Sequence, residues 1–583
     1  MAPHVLDDTS RGVLEEALKL RLQNPQLEIE ARFTRKISAE QFTHLSKVLA
    51  ETFPEREIQP EVLDVNFYTS SIKKDNDLSM RYTITGLDNI QAYCRTDRFV
   101  QGRYTKMYKS RITWGEKIIT DSRISPDQFS KDSIFIAVPD FDIRINVKEE
   151  LLEPEFDQYA TEMDTRVQSN LNTDNLFKIF RYKKRVSYIS ASKQFRVDMT
   201  VVKTNKTART VHGREDVVPT KTFAASNCLN EHEKYEVELE WVGNPTDYMK
   251  HIAKFDELLA YLHQNLFSRT NSLLGNSAVQ RICSEYTKEI KKIAISTLTQ
   301  QIGELNDLVE GKEPDLDNPY SLWSSHSEKL NELRKPGAKI ENNQIFRTLN
   351  GALNRYRRMR EDDKKTNLFY CPKVISMNIE NVVESFPRNI VQNYTVTDKA
   401  DGETMILYID SHGIAYFIDT NMNVHLAAVK TKYRHCILVG EFVSHPIIGF
   451  YCFDCYMVDE KDVRMLPLVS SAAGHESRIG LANSIISSID TSVVPLSVKK
   501  FYEYNDDGTD PMGVFSRSKM LWGTYLAGGF ASKYKLDGLV YTPRDMPVGF
   551  EPSRFNWSTQ WGARWNYNMK WKPPAENTID FLV

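Results

Sequence analysis

The stretch Leu27-Glu28-Ile29-Glu30-Ala31-Arg32-Phe33 alternates apolar and charged side chains without a break. Period-two alternation is the mark of a strand with one apolar and one polar face. It predicts a strand that presents Glu28, Glu30 and Arg32 on one side. About two hundred residues later the pattern returns as Tyr235-Glu236-Val237-Glu238-Leu239-Glu240-Trp241. Here Glu236, Glu238 and Glu240 share a face. Three like charges on one strand face repel. Two half-buried strands with solvated faces would account for each run alone. A hard divalent cation, Mg2+ or Mn2+, would relieve the repulsion, since such ions take oxygen ligands.

Between the acidic strands lie runs of the opposite sign. Phe180-Arg-Tyr-Lys-Lys-Arg185 aligns Arg181, Lys183 and Arg185; Phe195-Arg-Val-Asp198 aligns Arg196 with Asp198; Phe141-Asp-Ile-Arg-Ile-Asn-Val-Lys148 aligns Arg144, Asn146 and Lys148. Arg81 and the Tyr108-Lys109-Ser110-Arg111 run add further cations. An antiparallel barrel built from these strands would enclose a polar lumen, with carboxylates for a metal and cations for a polyphosphate. The bracket of two E-x-E runs resembles the triphosphate tunnel metalloenzymes. That resemblance implies metal-dependent removal of the terminal phosphate from a 5'-triphosphate RNA end. It implies metal-side roles for Glu28, Glu30, Glu236, Glu238 and Glu240, one of the last three alternatively orienting water. Arg32, Arg81, Arg144, Lys148, Arg181, Lys183 and Arg196 become triphosphate-binding candidates, with Asp198 beside them.

The second half is organised around Lys399-Ala400-Asp401-Gly402, a lysine at the end of one strand-like run and before another, Thr404 to Ile409. A neutral lysine amine is a nucleophile, and nearby cations favour that form. Lys570 and Lys572 alternate in a later run and suit a phosphate. A lone K-x-D-G is a weak signal. Its company is ordered: Leu438–Val443 with Glu441, Phe450–Tyr456 with Asp454, Lys535-Leu-Asp-Gly-Leu-Val-Tyr541, then Lys570 and Lys572. Order and spacing over about residues 376 to 573 resemble the covalent nucleotidyltransferases, the mRNA guanylyltransferases and polynucleotide ligases. The resemblance implies attack by Lys399 on the α-phosphate of GTP. It implies that Asp401 positions Lys399, that Glu441 meets the ribose, that Phe450 stacks on the base, and that Asp454 and Asp537 sit near the metal or the amine. Lys570 and Lys572 would hold the α-phosphate; Lys533 or Lys535 would reach the base. Thr404 stands where many relatives carry arginine, which puts that ribose or RNA-end contact in doubt.

The 583 residues suggest two or three domains. The expected fold class is α+β multidomain: a tunnel barrel over 1–250, a helical linker over 251–375, a ligase-like mixed α/β domain over 376–573, and in 574–583 the opening of a truncated OB-fold. The linker's Arg355–Arg360 cluster reads as a solvated helix end. Lid-bearing relatives orient pyrophosphate with that OB-fold, so lysyl-nucleotide formation is expected to be impaired here. A net charge of −3 makes any polyanion site local. Seven cysteines without disulfide-type spacing suggest a reducing compartment, and Cys452-x-x-Cys455, alone in a strand, reads as packing on opposite faces rather than zinc. No apolar run is long enough to span a bilayer, so a cytoplasmic site, or a viral factory, is expected. Barrel before nucleotidyltransferase resembles the capping enzymes of large DNA viruses, which implies 5'-triphosphate RNA and GTP as substrates and a cap methyltransferase as domain or partner. The rival readings are an ATP-dependent RNA end-repair ligase and a non-catalytic scaffold binding RNA or a partner.

Overall fold

A computed structural model describes residues 4–24, 26–71, 77–109, 129–130, 133–171, 175–209, 215–243, 248–270, 272–309, 369–386, 388–391, 393–428, 430–470, 476–489, 492–503, 513–528, 534–551, 556–557 and 564–573. The chain forms two compact units, Met1–Asn276 and Ser277–Val583.

In the first unit eight strands matter: β1 Leu27–Phe33, β2 Val62–Tyr68, β3 Asp77–Thr85, β4 Tyr104–Lys109, β5 Ile143–Leu152, β6 Phe177–Ile189, β7 Phe195–Thr204 and β8 Lys234–Trp241. Their order is β1-β8-β7-β6-β2-β3-β4-β5, and β5 pairs back onto β1. Every neighbouring pair is antiparallel. Closure removes the edges that an open sheet would leave unpaired.

The barrel carries its apolar side chains outward, under helices: α1 Asp8–Gln23, α2 Ala39–Thr52, α3 Leu87–Thr96, α4 Gln158–Asn170 and α5 Tyr248–Phe267. Ile29, Ala31, Val197 and Leu239 are buried with Leu14 and Leu18 of α1, Leu45 and Leu49 of α2, and Phe255, Leu259 and Leu262 of α5. Val65, Met80, Tyr82 and Phe180 are buried with Tyr93 of α3 and Val167 of α4. Burying each such side chain contributes about 1.5–3 kcal/mol, so the helices are what an outward-apolar barrel requires. α5 falls in the region expected as linker, yet it is part of this core. Its Asp256 is fully buried and accepts from Val5 N and Leu6 N, at 2.8 and 3.0 Å, and from Arg11.

The second unit is led by helix α6 Asn276–Val309. Its strands are β9 Lys373–Ser376, β10 Tyr394–Ala400, β11 Glu403–Ile409, β12 Ala415–Ile418, β13 Val424–Ala428, β14 Cys436–Val443, β15 Gly449–Val458, β16 Leu496–Val498, β17 Tyr502–Glu503, β18 Leu536–Pro543 and β19 Arg564–Trp571. One sheet runs β9-β19-β18-β10-β17; the other runs β13-β12-β11-β14-β15, with β16 parallel on β15. The chain crosses between sheets at Asp401-Gly402. A Cβ on Gly402 would stand 2.7 Å from the Phe442 carbonyl, so the turn needs glycine for close approach.

β15 departs from simple alternation. Leu438 faces Cys455 while Ile437 faces Met457, and Gly440 faces Cys452 while Val439 faces Asp454. Two surplus residues, Tyr456 and Phe453, are therefore bulged. The bulges put Cys452 and Cys455 in one apolar cluster instead of on opposite faces. All seven cysteines are free thiols. Among the described residues no helix is long and apolar enough to cross a membrane.

Two candidate catalytic sites

The barrel lumen follows from register. On β1, Glu30 faces Glu240 and Arg32 faces Glu238 across to β8. On its other side Glu28 faces Lys148, Glu30 faces Asn146 and Arg32 faces Arg144 of β5. β7 brings Arg196 against Glu240 and Asp198 against Glu238. The two acidic strands expected at the ends of the barrel sequence are thus neighbours in space.

The cations neutralise this wall locally. Lys148 Nζ lies 3.2 Å from Glu28, 3.3 Å from Glu30 and 3.1 Å from Glu150. Arg181 donates to both oxygens of Glu236 at 2.7 Å. Arg185 donates to Asp198 at 2.9 Å and to Glu238 at 3.4 Å. Arg196 donates to Asp198 at 3.0 Å and also to Glu240. Across the lumen Lys183 pairs with Asp64, with Arg81 4.0 Å from the same carboxylate.

The carboxylates stay crowded despite these partners. Burial, then Glu150, raises the Glu28 pKa; burial, then Glu30, raises that of Glu238. Glu240 is pushed up to about 7, chiefly by burial. Asn146 is buried, donates to Glu30 at 3.3 Å, and keeps its Oδ1 unpartnered. Hard oxygen donors that resist ionisation together fit a divalent cation. Among the described residues, however, no three of His, Cys, Asp and Glu converge as a ready metal group; Lys148 stands between Glu28 and Glu30. Asp64 and Glu150 were not singled out from sequence. The alternation Leu63-Asp64-Val65-Asn66 carries the signal for Asp64; Glu150 shares the face of Arg144, Asn146 and Lys148 by period two, but Glu149 breaks the apolar alternation before it.

In the second unit Lys399 Nζ donates to Asp537 Oδ2 at 2.6 Å, and Lys572 Nζ lies 2.9 Å from Asp537 Oδ1. Burial would raise the Asp537 pKa, but the two lysines outweigh it and hold it low. The contact has a backbone cause. Asp398 faces Leu539 but Ala400 faces Leu536, so β18 bulges at Asp537-Gly538 opposite Lys399. Gly538 has φ +128°, and a Cβ there would meet the Trp571 carbonyl at 2.0 Å.

Beside this cluster opens a cavity of about 410 Å³, lined by Lys399, Thr404, Glu441, Asp454, Lys499 and Lys570 among others, with Phe453, Phe501 and Trp565 as aromatic walls. Burial raises the Glu441 pKa against the pull of Lys499 and Lys399. Several expectations need correction. Phe450 is fully buried in the core, its ring 5.0 Å from that of Phe417, so it faces away from the cavity; the bulge presents Phe453 instead. Asp454 lines the cavity but is committed to Arg478, at 2.7 Å, rather than to Lys399. Asp401 is exposed, and the ion pair of Lys399 is with Asp537. Lys535 is exposed and off the cavity wall. Lys533 and the Arg355–Arg360 cluster lie outside the described residues, as does 574–583. Lys373 and Lys499, also on the cavity wall, were missed, since a single lysine beside an apolar strand residue looks solvated.

The first unit is therefore a closed antiparallel barrel with a polar lumen; the second is α+β, two sheets around a lysine-rich cavity. The chain is similar to a probable mRNA-capping enzyme of Acanthamoeba polyphaga mimivirus, 24% identical over 323 residues, 46% of this chain and 26% of that protein. The match thus spans about a quarter of that protein's length. No protein-family model matches. The solved RNA triphosphatase domain of a mimivirus capping enzyme aligns at 15% identity and TM-score 0.30, over 45% of this chain and 99% of that one. A putative adenylyl cyclase from Hippeastrum, described as having dominant triphosphatase activity, aligns at 10% identity and TM-score 0.19, over 40% of this chain and 87% of that one. At such scores the barrel rests on its own strand pairing.

Proposed function

We propose that the chain carries two steps of mRNA capping. In the first unit, water attacks the γ-phosphorus of a 5'-triphosphate RNA end. The bond to the bridging β–γ oxygen breaks, leaving inorganic phosphate and a diphosphate end. Arg32, Arg81, Arg144, Lys148, Arg181, Lys183 and Arg196 bind the phosphates. Glu28, Glu30, Glu236, Glu238 and Glu240 would hold Mg2+ or Mn2+, which when bound offsets phosphate charge. In the second unit, the unprotonated Lys399 amine attacks the α-phosphorus of GTP and pyrophosphate leaves. The diphosphate RNA oxygen then attacks the same phosphorus, and the P–N bond breaks to release the amine. Asp537 orients Lys399, while Lys570 and Lys572 offset charge on the transferring phosphoryl group.

The observation that carries this reading is the Lys399–Asp537–Lys572 cluster at a nucleotide-sized cavity, in one polypeptide with the acid-and-base-lined barrel. The similarity to a probable capping enzyme supports it. The test is release of labelled γ-phosphate from triphosphate RNA with Mg2+ or Mn2+, run alongside adduct formation with labelled GTP. Loss of release in Glu28→Ala and Glu238→Ala is expected. Unchanged release in both would leave the barrel a scaffold, and an adduct with ATP alone would make the second unit an end-repair ligase.

A further inference from the structure

Lys399 gains its aim from the strand that carries it, and that strand is anchored at the residue before it. Strand alternation turns the Asp398 side chain to the other face from Lys399. Asp398 is only 4% exposed. Its Oδ2 accepts from Tyr534 Oη at 2.8 Å. Lys499 Nζ donates to the Asp398 carbonyl at 2.9 Å and lies 3.5 Å from Oδ2. Lys499 and Tyr534 are themselves buried, at 6% and 5% exposure, with the ammonium 5.8 Å from the Tyr534 ring. Burial, then the Asp398 carboxylate, raises the Tyr534 pKa, so the phenol keeps its proton and donates.

The placement of these partners is informative. Tyr534 lies three residues before Asp537, so its bond to Asp398 ties the entry to the β18 bulge to the strand opposite. Lys499 is fixed in turn by its backbone N–H, which donates to the Cys452 carbonyl of β15 at 2.8 Å. Thr397 Oγ1 donates to the Lys500 carbonyl at 2.9 Å, a second tie on the same segment. Asp398 thus meets one close donor at its carboxylate, Tyr534, and one at its carbonyl, Lys499, and breaking either bond strands a desolvated group.

We propose that Asp398 is a positioning residue: with Tyr534 and Lys499 it locks β10 against the β18 bulge, so that the Lys399 amine is held in line for phosphoryl attack. This rests on Lys399 being the nucleophile. Asp398 is itself on the wall of the same cavity, but its carboxylate is engaged by Tyr534 and lies beside Lys499, so its part is to position β10 rather than to hold the nucleotide.

The test is the single-turnover rate of covalent guanylate formation by the full chain, with labelled GTP and Mg2+, over a range of GTP concentrations. Asp398→Ala should slow the maximal rate about 100-fold, and Tyr534→Phe about 10-fold, with half-saturating GTP within about twofold of wild type. Asp398→Asn keeps an acceptor for Tyr534 and should recover most of the rate. Melting temperatures are measured in parallel; should Asp398→Ala fail to fold, Tyr534→Phe decides. Maximal rates within about twofold of wild type, or a rise in half-saturating GTP at unchanged maximal rate, would overturn the proposal. A wild type that forms no adduct would overturn it together with the reading it rests on; a wild type that labels while Tyr534→Phe labels equally fast would overturn it alone.

Discussion

Lys399 and Asp537 are 138 residues apart in the chain and 2.6 Å apart in space. Asp537 also receives Lys572, so one carboxylate fixes two amines. Asp537→Ala should lower the rate of lysyl-guanylate formation at least about 100-fold, since misplacement of a reacting group costs that much, with γ-phosphate release unchanged. A residue outside both sites sets a pH dependence. His263 of α5 packs among Phe33, Phe141 and Phe267, and its pKa is lowered to about 4, chiefly by burial. The unfolded chain binds the proton from about pH 6.5 downward and the folded chain does not, so stability is intact above that pH and falls as pH drops toward 4. The loss is about 3 kcal/mol. Urea unfolding at pH 7.5 and pH 4.5 should show it, and His263→Phe should reduce the difference. At this scale alternation told which face a charged residue takes but not its partner: Asp401 is exposed and Asp454 is committed to Arg478. Glu30 and Glu240 had to face something polar, whereas Phe450 and Phe453 are chemically alike and only a bulge decides which meets the cavity.

Strands were legible because alternation is physical: Glu28, Glu30 and Arg32 cannot turn outward toward Leu14 and Leu18 without stranding charge. The bulge at Phe453 was not legible, since nothing there marks the extra residue, and Asp537-Gly538 read as a turn rather than as a bulge within a strand. Yet those bulges aim Lys399's partner and the cavity's aromatic wall. Gly538→Ala tests this directly. The added methyl meets backbone at 2.0 Å, where no side chain can yield, in a conformation with φ +128° that alanine resists. A loss on the order of 3 kcal/mol is expected. The measurement is the melting temperature of the variant, together with loss of its guanylate adduct.

For the whole molecule, the two proposed chemistries, one in each compact unit, predict separable defects. Glu238→Ala should lower γ-phosphate release by at least about 100-fold and leave the lysyl adduct intact; Lys399→Ala should do the reverse. Assays of both variants on one RNA would detect any coupling. If both proposed steps run in this chain, their linkage would raise the effective concentration of the diphosphate end for the second. The division into an alternating-strand barrel and a second α+β unit was readable because strands and helices carry different periodicities. The assignment of α5 was not, because its apolar stripe of Ile252, Phe255, Leu259 and Leu262 fits any core, and only the packing shows that it covers the barrel. The most direct measurement is the intact mass of the chain after incubation with GTP and Mg2+. The mass should rise by one GMP, carried on Lys399 and absent from Lys399→Ala. No rise with GTP, a rise with ATP alone, or an adduct that survives Lys399→Ala would contradict the account.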